Sequence, residues 1–499
     1  MMRLASAVLA LAFTVSTVHL AQPAAAETPQ VNAEAAAFLI TQLVDGERIE
    51  TRFGEMSFPD AGLTADVIFA LFQANVATPQ TEAALNWLAA QADAYTGVTS
   101  GDTYAGAVAK LLLVADASGR NALFDTDTLI ARLVDRHQTS GRFTDASSFG
   151  DFSNTITQSL AIIALSRTAP EQLPATAATY LAGQACTDGG FPSAFDTDVC
   201  TSSVDATGFA VQALRAAGNP AAVNAAVVWL TQELDAGRIT NANAAGLAAS
   251  AFAATGTTDG LTRAQAIITG LQAGCVANVP AAIRFSATDP GDATRATAQA
   301  LFGRLGGDLA TVTAPVGGVV PAALVCPPRF SDLDYDASVH ATNIVALQQT
   351  GTLAGFGDGT FRPRVAITRG QFASLLVAAT GTVVTTEATP FSDLAGDTHA
   401  TAIATLHARG VISGFSDGTV RASAPITRAQ AAAIVSRFIA SGTVETAVYS
   451  DIADTPLTDA IIDVTERGLF QGINGQFVPD GPLRRDQAAS VIANVVALP

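Results

Sequence analysis

The residues best suited to chemistry in this 499-residue chain are three arginines that recur toward its C-terminal end. Arg369 lies in Ile367-Thr368-Arg369-Gly370-Gln371, Arg428 in Ile426-Thr427-Arg428-Ala429-Gln430, and Arg485 in Leu483-Arg484-Arg485-Asp486-Gln487. Thr368 and Thr427 suit helix N-caps, and Gln371 and Gln430 three residues on complete capping boxes. Each such cap contributes ~1 kcal/mol. The arginines then fall in first helical turns, where free N–H groups already favour an anion. A guanidinium beside those donors makes a clamp for a carboxylate or phosphate. A cation in a first turn opposes the helix dipole, so each arginine needs a partner. Spacing alone leaves two partners open: an external anion, or a local carboxylate such as Asp332, Asp393 or Asp451.

The elements that must hold these arginines repeat with them. Phe330-Ser331-Asp332, Phe391-Ser392-Asp393 and Tyr449-Ser450-Asp451 recur at intervals of 61 and 58, each before a helix ending near Gly351, Gly410 or Gly468. A turn follows, Gly357-Asp358-Gly359-Thr360-Phe361, with Asp417-Gly418-Thr419-Val420 and Asn474-Gly475-Gln476-Phe477 as its copies. The arginine-bearing helix comes next. This ordered set closely resembles three tandem S-layer homology modules, at 330–390, 391–448 and 449–499. The resemblance implies a three-pronged helical unit whose inter-module grooves hold the pyruvylated secondary polysaccharide of a bacterial cell wall. The binding residues it implies are Arg369, Arg428 and Arg485, then Asp332, Asp393 and Asp451, with Gly355 and Gly414 before the turns. Residues 330–499 contain 10 Arg, no Lys and 16 acids, so an anionic polymer must be held by local clamps against the net charge. Module three departs from the pattern at Arg484, Asp486 and Asn474, and its groove is expected to be the weakest. Two working grooves on a repetitive polymer already gain from effective concentration.

A second repeat system fills the N-terminal part, from Val31 to about Asp308. A helical phrase recurs around Gln42, Gln91, His137, Gln184, Gln232 and Gln272, each time followed by a polar loop and an Ala-rich helix. Apolar residues at spacings of three and four mark buried or half-buried helices. Small Ala and Gly positions along the second helices suit close packing in an inner ring, so six helix pairs predict an all-α, α6/α6 toroid at 27–308. Gly189-Gly190-Phe191, then Asp205-Ala206-Thr207, resemble the α/α-toroid family of terpenoid cyclases and protein prenyltransferases, with Phe58-Pro59-Asp60 and Thr64-Ala65 as a weaker copy. The catalytic equipment of that family is absent. No Asp-x-Asp-Asp acid motif occurs, and Asp125-Thr126-Asp127 and Asp196-Thr197-Asp198 read as loop residues. Asp198-Val199-Cys200 imitates half of a prenyltransferase zinc site, but His137 is the sole histidine of the toroid and sits where Gln otherwise recurs. The Cys-Gly-Glu-Gln of complement-type toroids is also missing. No metal site, cofactor or catalytic residue is assigned. A glycan-active enzyme is the leading enzymatic alternative, with Glu55, Asp60, Asp66, Asp145 and Asp205 as recruitable acids. Against it, Trp87 and Trp229 both fall in the first-helix phrase, which reads as core.

Composition bounds the rest. Net charge −18 argues against nucleic acid, which needs a basic face. Arg3, an apolar stretch from Leu4 to Val15 and Ala24-Ala25-Ala26 form an export signal over residues 1–26. Past it, no run spans a membrane: Leu309 to Pro328 is uncharged but broken by Pro and Gly, and reads as a linker over 309–329. Export makes two disulfides the default for Cys186, Cys200, Cys275 and Cys326. Three pairings are possible, and 186–200 with 275–326 is favoured because it closes a short loop and ties the linker to its domain. The expectation is a secreted cell-wall or S-layer protein whose toroid binds an apolar ligand or a protein partner at its mouth. A glycan-active enzyme and a lattice component are its rivals.

Overall fold

The computed structural model describes residues 24–498 apart from 278, 290, 386–387 and 441–448. The expected export signal lies, through residue 23, outside the described residues. The chain divides into two compact units, residues 24–272 with 281–323, and residues 273–280 with 324–498.

The first unit is the predicted double ring. Its longer helices are α1 Ala24–Thr41, α2 Ala61–Gln73, α3 Pro79–Ala90, α4 Ala105–Ser118, α5 Thr126–Val134 and α6 Thr155–Thr168. They continue with α7 Ala175–Gly183, α8 Val204–Ala216, α9 Pro220–Asp235, α10 Ala242–Thr255, α11 Thr258–Leu271 and α12 Ala293–Arg304. The even-numbered helices pack each on the next, and α12 returns onto α2, which closes the inner ring. Their near-continuous apolar sequences, such as Val67 to Phe72 of α2, are buried on all sides, as an inner layer demands. The odd-numbered helices pack outside.

Close approach in the inner ring rests on glycine. A Cβ on Gly246 of α10 would lie 2.5 Å from the Gln299 carbonyl oxygen of α12, and one on Gly208 of α8 would lie 2.8 Å from that of Leu247. Glycine costs about 1 kcal/mol against alanine in a helix, which this backbone contact offsets. The loops entering α2 and α8 form short hairpins, β1 Glu50–Phe53 with β2 Met56–Pro59, and β3 Phe191–Pro192 with β4 Ser202–Ser203.

Residues 305–319 do not run as a free linker. Leu309 N–H donates to Gln212 Oε1 (2.9 Å), Arg167 Nη2 donates to the Val312 carbonyl (2.9 Å), and Val319 N–H donates to the Asn75 carbonyl (2.8 Å). Asp308 also pairs with Arg215. The segment therefore crosses the C-terminal ends of the inner helices. Its backbone satisfies polar groups there, which an uncharged sequence could not announce.

The second unit contains α13 Ala341–Gln349, α14 Arg369–Ala379, α15 Ala400–Ala408, α16 Arg428–Phe438, α17 Thr458–Glu466 and α18 Arg485–Val496. Its prongs are built across modules: α14 packs on α15, α16 on α17, and α18 returns to α13. A cyclic triad of backbone bonds closes the centre. Ile367 N–H donates to Leu483 O, Leu483 N–H to Ile426 O, and Ile426 N–H to Ile367 O, at 2.9, 2.9 and 3.0 Å. One apolar core, including Phe330, Phe372, Ile403, Ile434, Phe477 and Ile492, is shared by all three modules.

Cys186 pairs with Cys200, and Cys275 with Cys326. The latter bond lies within the second unit, to which residues 273–280 belong. Among the described residues no helix is long and apolar enough to cross a membrane.

Candidate functional site

The capping boxes form as the spacing predicts. Thr368 Oγ1 accepts from Gln371 N–H at 3.2 Å, and Gln371 Oε1 accepts from Thr368 N–H at 3.1 Å; Thr427 and Gln430 repeat the pair. In module three Gln487 still accepts from Arg484 N–H (3.1 Å). The Asp486 carboxylate takes the Gln487 N–H (2.7 Å) in place of the missing threonine hydroxyl.

The arginines that follow do not pair with the early aspartates. Each aspartate instead holds the turn of its own module with both carboxylate oxygens. Asp332 accepts from Phe361 and Arg362 N–H (2.7 and 2.8 Å), Asp393 from Val420 and Arg421 (2.9 and 2.7 Å), and Asp451 from Phe477 and Val478 (3.0 and 2.7 Å). Arg362, Arg421 and Val478 have φ of 57°, 54° and 59°, a left-handed conformation that side chains rarely adopt. The carboxylates thus stabilise a strained turn, and the glycines fit a ring against it. A Cβ on Gly355 or Gly414 would stand 2.3 Å from the Phe330 or Phe391 ring. Gly472 is the third copy, against Tyr449.

Every arginine reaches the turn of another module. Arg485 donates to the Phe361 carbonyl (3.0 Å) and lies over the Phe356 ring, 4.8 Å from its centroid. Arg428, 3% exposed, donates to the carbonyls of Phe477 (2.6 Å) and Gln471 (2.7 Å). Arg369 stands 5.4 Å from the Phe415 centroid, and its buried Nε has no hydrogen-bond partner. Three composite grooves follow. The first combines the module-one turn, His399 and Arg485 in a cavity of about 260 Å³. The third combines the module-three turn, His340, Ser490 and Arg428 in one of about 570 Å³.

The second groove carries doubled positive charge. Arg437 of α16 occupies the position held by Ala378 in module one and Asn494 in module three, and its charge acts on Arg369. Burial first, then Arg437, push the Arg369 guanidinium below the usual arginine range. Neither arginine has an ion pair among the described residues. Sequence reasoning missed Arg437, because a helix-interior arginine carries no motif. The departures of module three are also redistributed: Arg485 serves the first groove, while the Asn474 turn receives Arg428.

In the toroid the motif Asp205-Ala206-Thr207 is a structural pin. Thr207 Oγ1 accepts from Phe191 N–H (2.9 Å), as Thr64 does from Ile49 (3.0 Å) and Thr297 from Ile283 (2.8 Å). Inner helices thereby hold their entry loops. The candidate acids are mostly engaged. Asp60 caps α2 through Leu63 N–H (2.8 Å) and pairs with Arg295 (2.9 Å). Asp66 pairs with Lys110 at 2.7 Å, and Asp145 accepts from Ala105 N–H at 2.8 Å. Glu55 is exposed in the β1–β2 turn. Asp205 takes no hydrogen bond or ion pair among the described residues, and burial raises its pKa. Asp125, Asp196 and Asp198 are exposed outside the longer helices, as expected, whereas Asp127, also exposed, lies in the first turn of α5. His137 meets Thr176 (3.1 Å) and the Phe143 ring. No cluster able to hold a metal occurs among the described residues.

The cavity at the centre of the ring, lined by Asp66, Phe69, Lys110, Gln212, Gln299 and Phe302 among others, measures about 40 Å³. That is room for water. Trp87 departs from expectation. It is half-buried and lines a surface cleft, whereas Trp229 is buried and donates to Asp188 (3.0 Å).

The S-layer homology domain family matches residues 329–373, 390–432 and 448–489. Cell surface glycoprotein 1 of Acetivibrio thermocellus is 30% identical over 28% of this chain and 7% of its own length. The cellulosome-anchoring protein of the same organism is 32% identical over 30% of this chain and 35% of its own. This chain therefore spans about a third or less of these relatives. Solved structures similar to 55–58% of the chain, over 96–99% of their own, include a heparin-specific unsaturated glucuronyl hydrolase (11% identity, TM-score 0.42) and a Salegentibacter α-1,6-mannanase (8%, 0.43). A third is a Bacillus unsaturated glucuronyl hydrolase (12%, 0.43). At TM-scores below 0.5 these likenesses say nothing of what the toroid does, and none is to a terpenoid cyclase. The C-terminal third of the chain carries three tandem S-layer homology domains.

Proposed function

We propose that these three domains dock the chain non-covalently on an anionic cell-wall polysaccharide, pyruvyl-ketal sugars included, with the toroid as the displayed module. The protein is a secreted component of the bacterial cell wall or S-layer. The observation that carries the docking is the half-buried Arg369 guanidinium, 5.4 Å from the Phe415 ring with its Nε unpartnered and the charge of Arg437 acting on it, neither arginine in an ion pair among the described residues. A unit with more acids than arginines gains nothing from long-range attraction to an anion. It binds one where a donor is already desolvated and unpaired, as Arg369 Nε is, and hydrogen bonds to charged groups are the strong ones. The names of the two relatives, a surface glycoprotein and an anchoring protein, agree with this reading. For the toroid, engagement of Asp60, Asp66 and Asp145 by cations or backbone favours a binding module over an enzyme.

Co-sedimentation of the exported chain with purified cell walls tests the docking. Replacing Arg369 and Arg437 together by Ala should weaken retention ~10-fold or more, and mild acid removal of wall ketals should do the same to the native chain. Full retention by the double variant would remove the support for the clamp.

A further inference from the structure

The cleft that Trp87 lines belongs to no function described so far. It measures about 430 Å³ and opens at the N-terminal end of the inner helices, between the β1–β2 hairpin, α3 and the start of α2. That size lies within the ~300–1,000 Å³ range of small-ligand sites. Its walls are the rings of Trp87, Tyr95, Phe53 and Phe58. Its polar groups are the Asp60–Arg295 pair at 2.9 Å, the Thr51 hydroxyl bonded to Asp60 at 2.8 Å, and Gln91. Against the desolvation that would raise it, the Leu63 N–H, Thr51 and Arg295 hold the Asp60 carboxyl below its ordinary value, so it remains an acceptor. The hairpin also leaves Phe53 67% and Phe58 46% exposed, beside Met56. Large exposed rings concentrated at one cleft are a binding feature, whereas singly scattered ones are not.

We infer that this cleft binds a neutral saccharide. A pyranose ring has an apolar C–H face and an equatorial belt of hydroxyls. Flat aromatic walls take the first. A carboxylate and a guanidinium side by side, one accepting and one donating, take adjacent hydroxyls of the second. A purely apolar ligand would strand the Asp60–Arg295 pair away from water, which costs free energy. An anionic saccharide meets the wrong field, because residues 27–329 hold 28 acids and 15 basic residues. The site is independent of the wall-binding arginines.

The test uses the disulfide-bonded exported chain carrying R369A and R437A, so that the second groove of the C-terminal unit does not contribute. Affinity electrophoresis in gels containing laminarin, xylan, α-mannan or amylose, and in gels containing polygalacturonate or hyaluronan, reads the preference. Calorimetry with oligosaccharides of the retained polymer then gives Kd. Retention by at least one neutral polymer is expected, with Trp87→Ala and the surface change Phe58→Ser each raising Kd about tenfold, or 1.4 kcal/mol. Arg295→Gln should weaken binding while Arg263→Gln, outside the cleft, should not. Phe58→Ser guards against misfolding of the half-buried Trp87 variant. No retention by any neutral polymer, retention by the acidic polymers alone, or binding indifferent to Trp87 and Phe58 would overturn the assignment. Peptide or protein capture at the cleft without saccharide binding would do so as well.

Discussion

The Tyr449 hydroxyl accepts the Gly472 N–H at 2.8 Å. The phenylalanines at the corresponding places, Phe330 and Phe391, offer Gly355 and Gly414 no such acceptor. All three rings press on glycine, so module three differs in a hydrogen bond while keeping the packing.

A left-handed backbone, added to packing that all three share, makes Gly414 the most intolerant of the three positions. Its φ is +71°, and an added Cβ would meet the Phe391 ring at 2.3 Å and the Thr419 carbonyl oxygen at 3.0 Å. Gly414→Ala should cost about 2–4 kcal/mol, from backbone strain and overpacking together. In a unit of this size that is a fall of about 4–16 °C in the C-terminal melting transition. Tyr449→Phe should cost about 1 kcal/mol, the worth of one hydrogen bond. Scanning calorimetry of the whole chain reads both, and equal effects would contradict the geometry.

The composite prongs predict the outcome of truncation. A chain ending at residue 440 loses α18 from α13, the Leu483 link of the backbone triad, and Arg485 from the first groove. Independent modules would keep their share of wall binding. Here wall retention should fall to background, and residues 330–440 should lose cooperative unfolding and become protease-sensitive. A protected two-module fragment that still sediments with walls would refute the interdependence.

What could be read in advance was local. Thr368 and Gln371 are three residues apart, so their capping box needs only a helix start. The six Ala-rich phrases likewise announce inner helices, since burial on all sides removes polar periodicity. The partners of the arginines were illegible because they lie in other modules: nothing near Arg369 in sequence names Phe415 or Arg437. Trp87 shares a helical phrase with core residues, and only the hairpin of Phe53 and Phe58 turns its face into a cleft wall. Thr207 was read as part of a family motif, although its observed work, holding the Phe191 N–H, is required by any such loop. Residues 309–319 lacked charge and contained proline, which is the composition of a linker and equally of a backbone strap.

Asp205 offers a test of burial in the toroid through pH. It lies in the first turn of α8, and desolvation raises its pKa above the ordinary aspartate value of 3.8. A carboxyl with a raised folded pKa binds its proton more tightly in the native state. Its contribution is therefore neutral below the unfolded value and becomes destabilising as pH rises from 3.8 through the folded pKa. Asp205→Asn keeps the shape and removes the charge. It should raise the melting temperature of the toroid at neutral pH and leave it unchanged in acid below 3.8, where native Asp205 is already protonated. Calorimetry of both proteins across that range checks the sign. A loss of stability at neutral pH would mean that the carboxylate is held by an interaction stronger than its burial, and a stabilisation independent of pH would mean that the gain does not come from its charge.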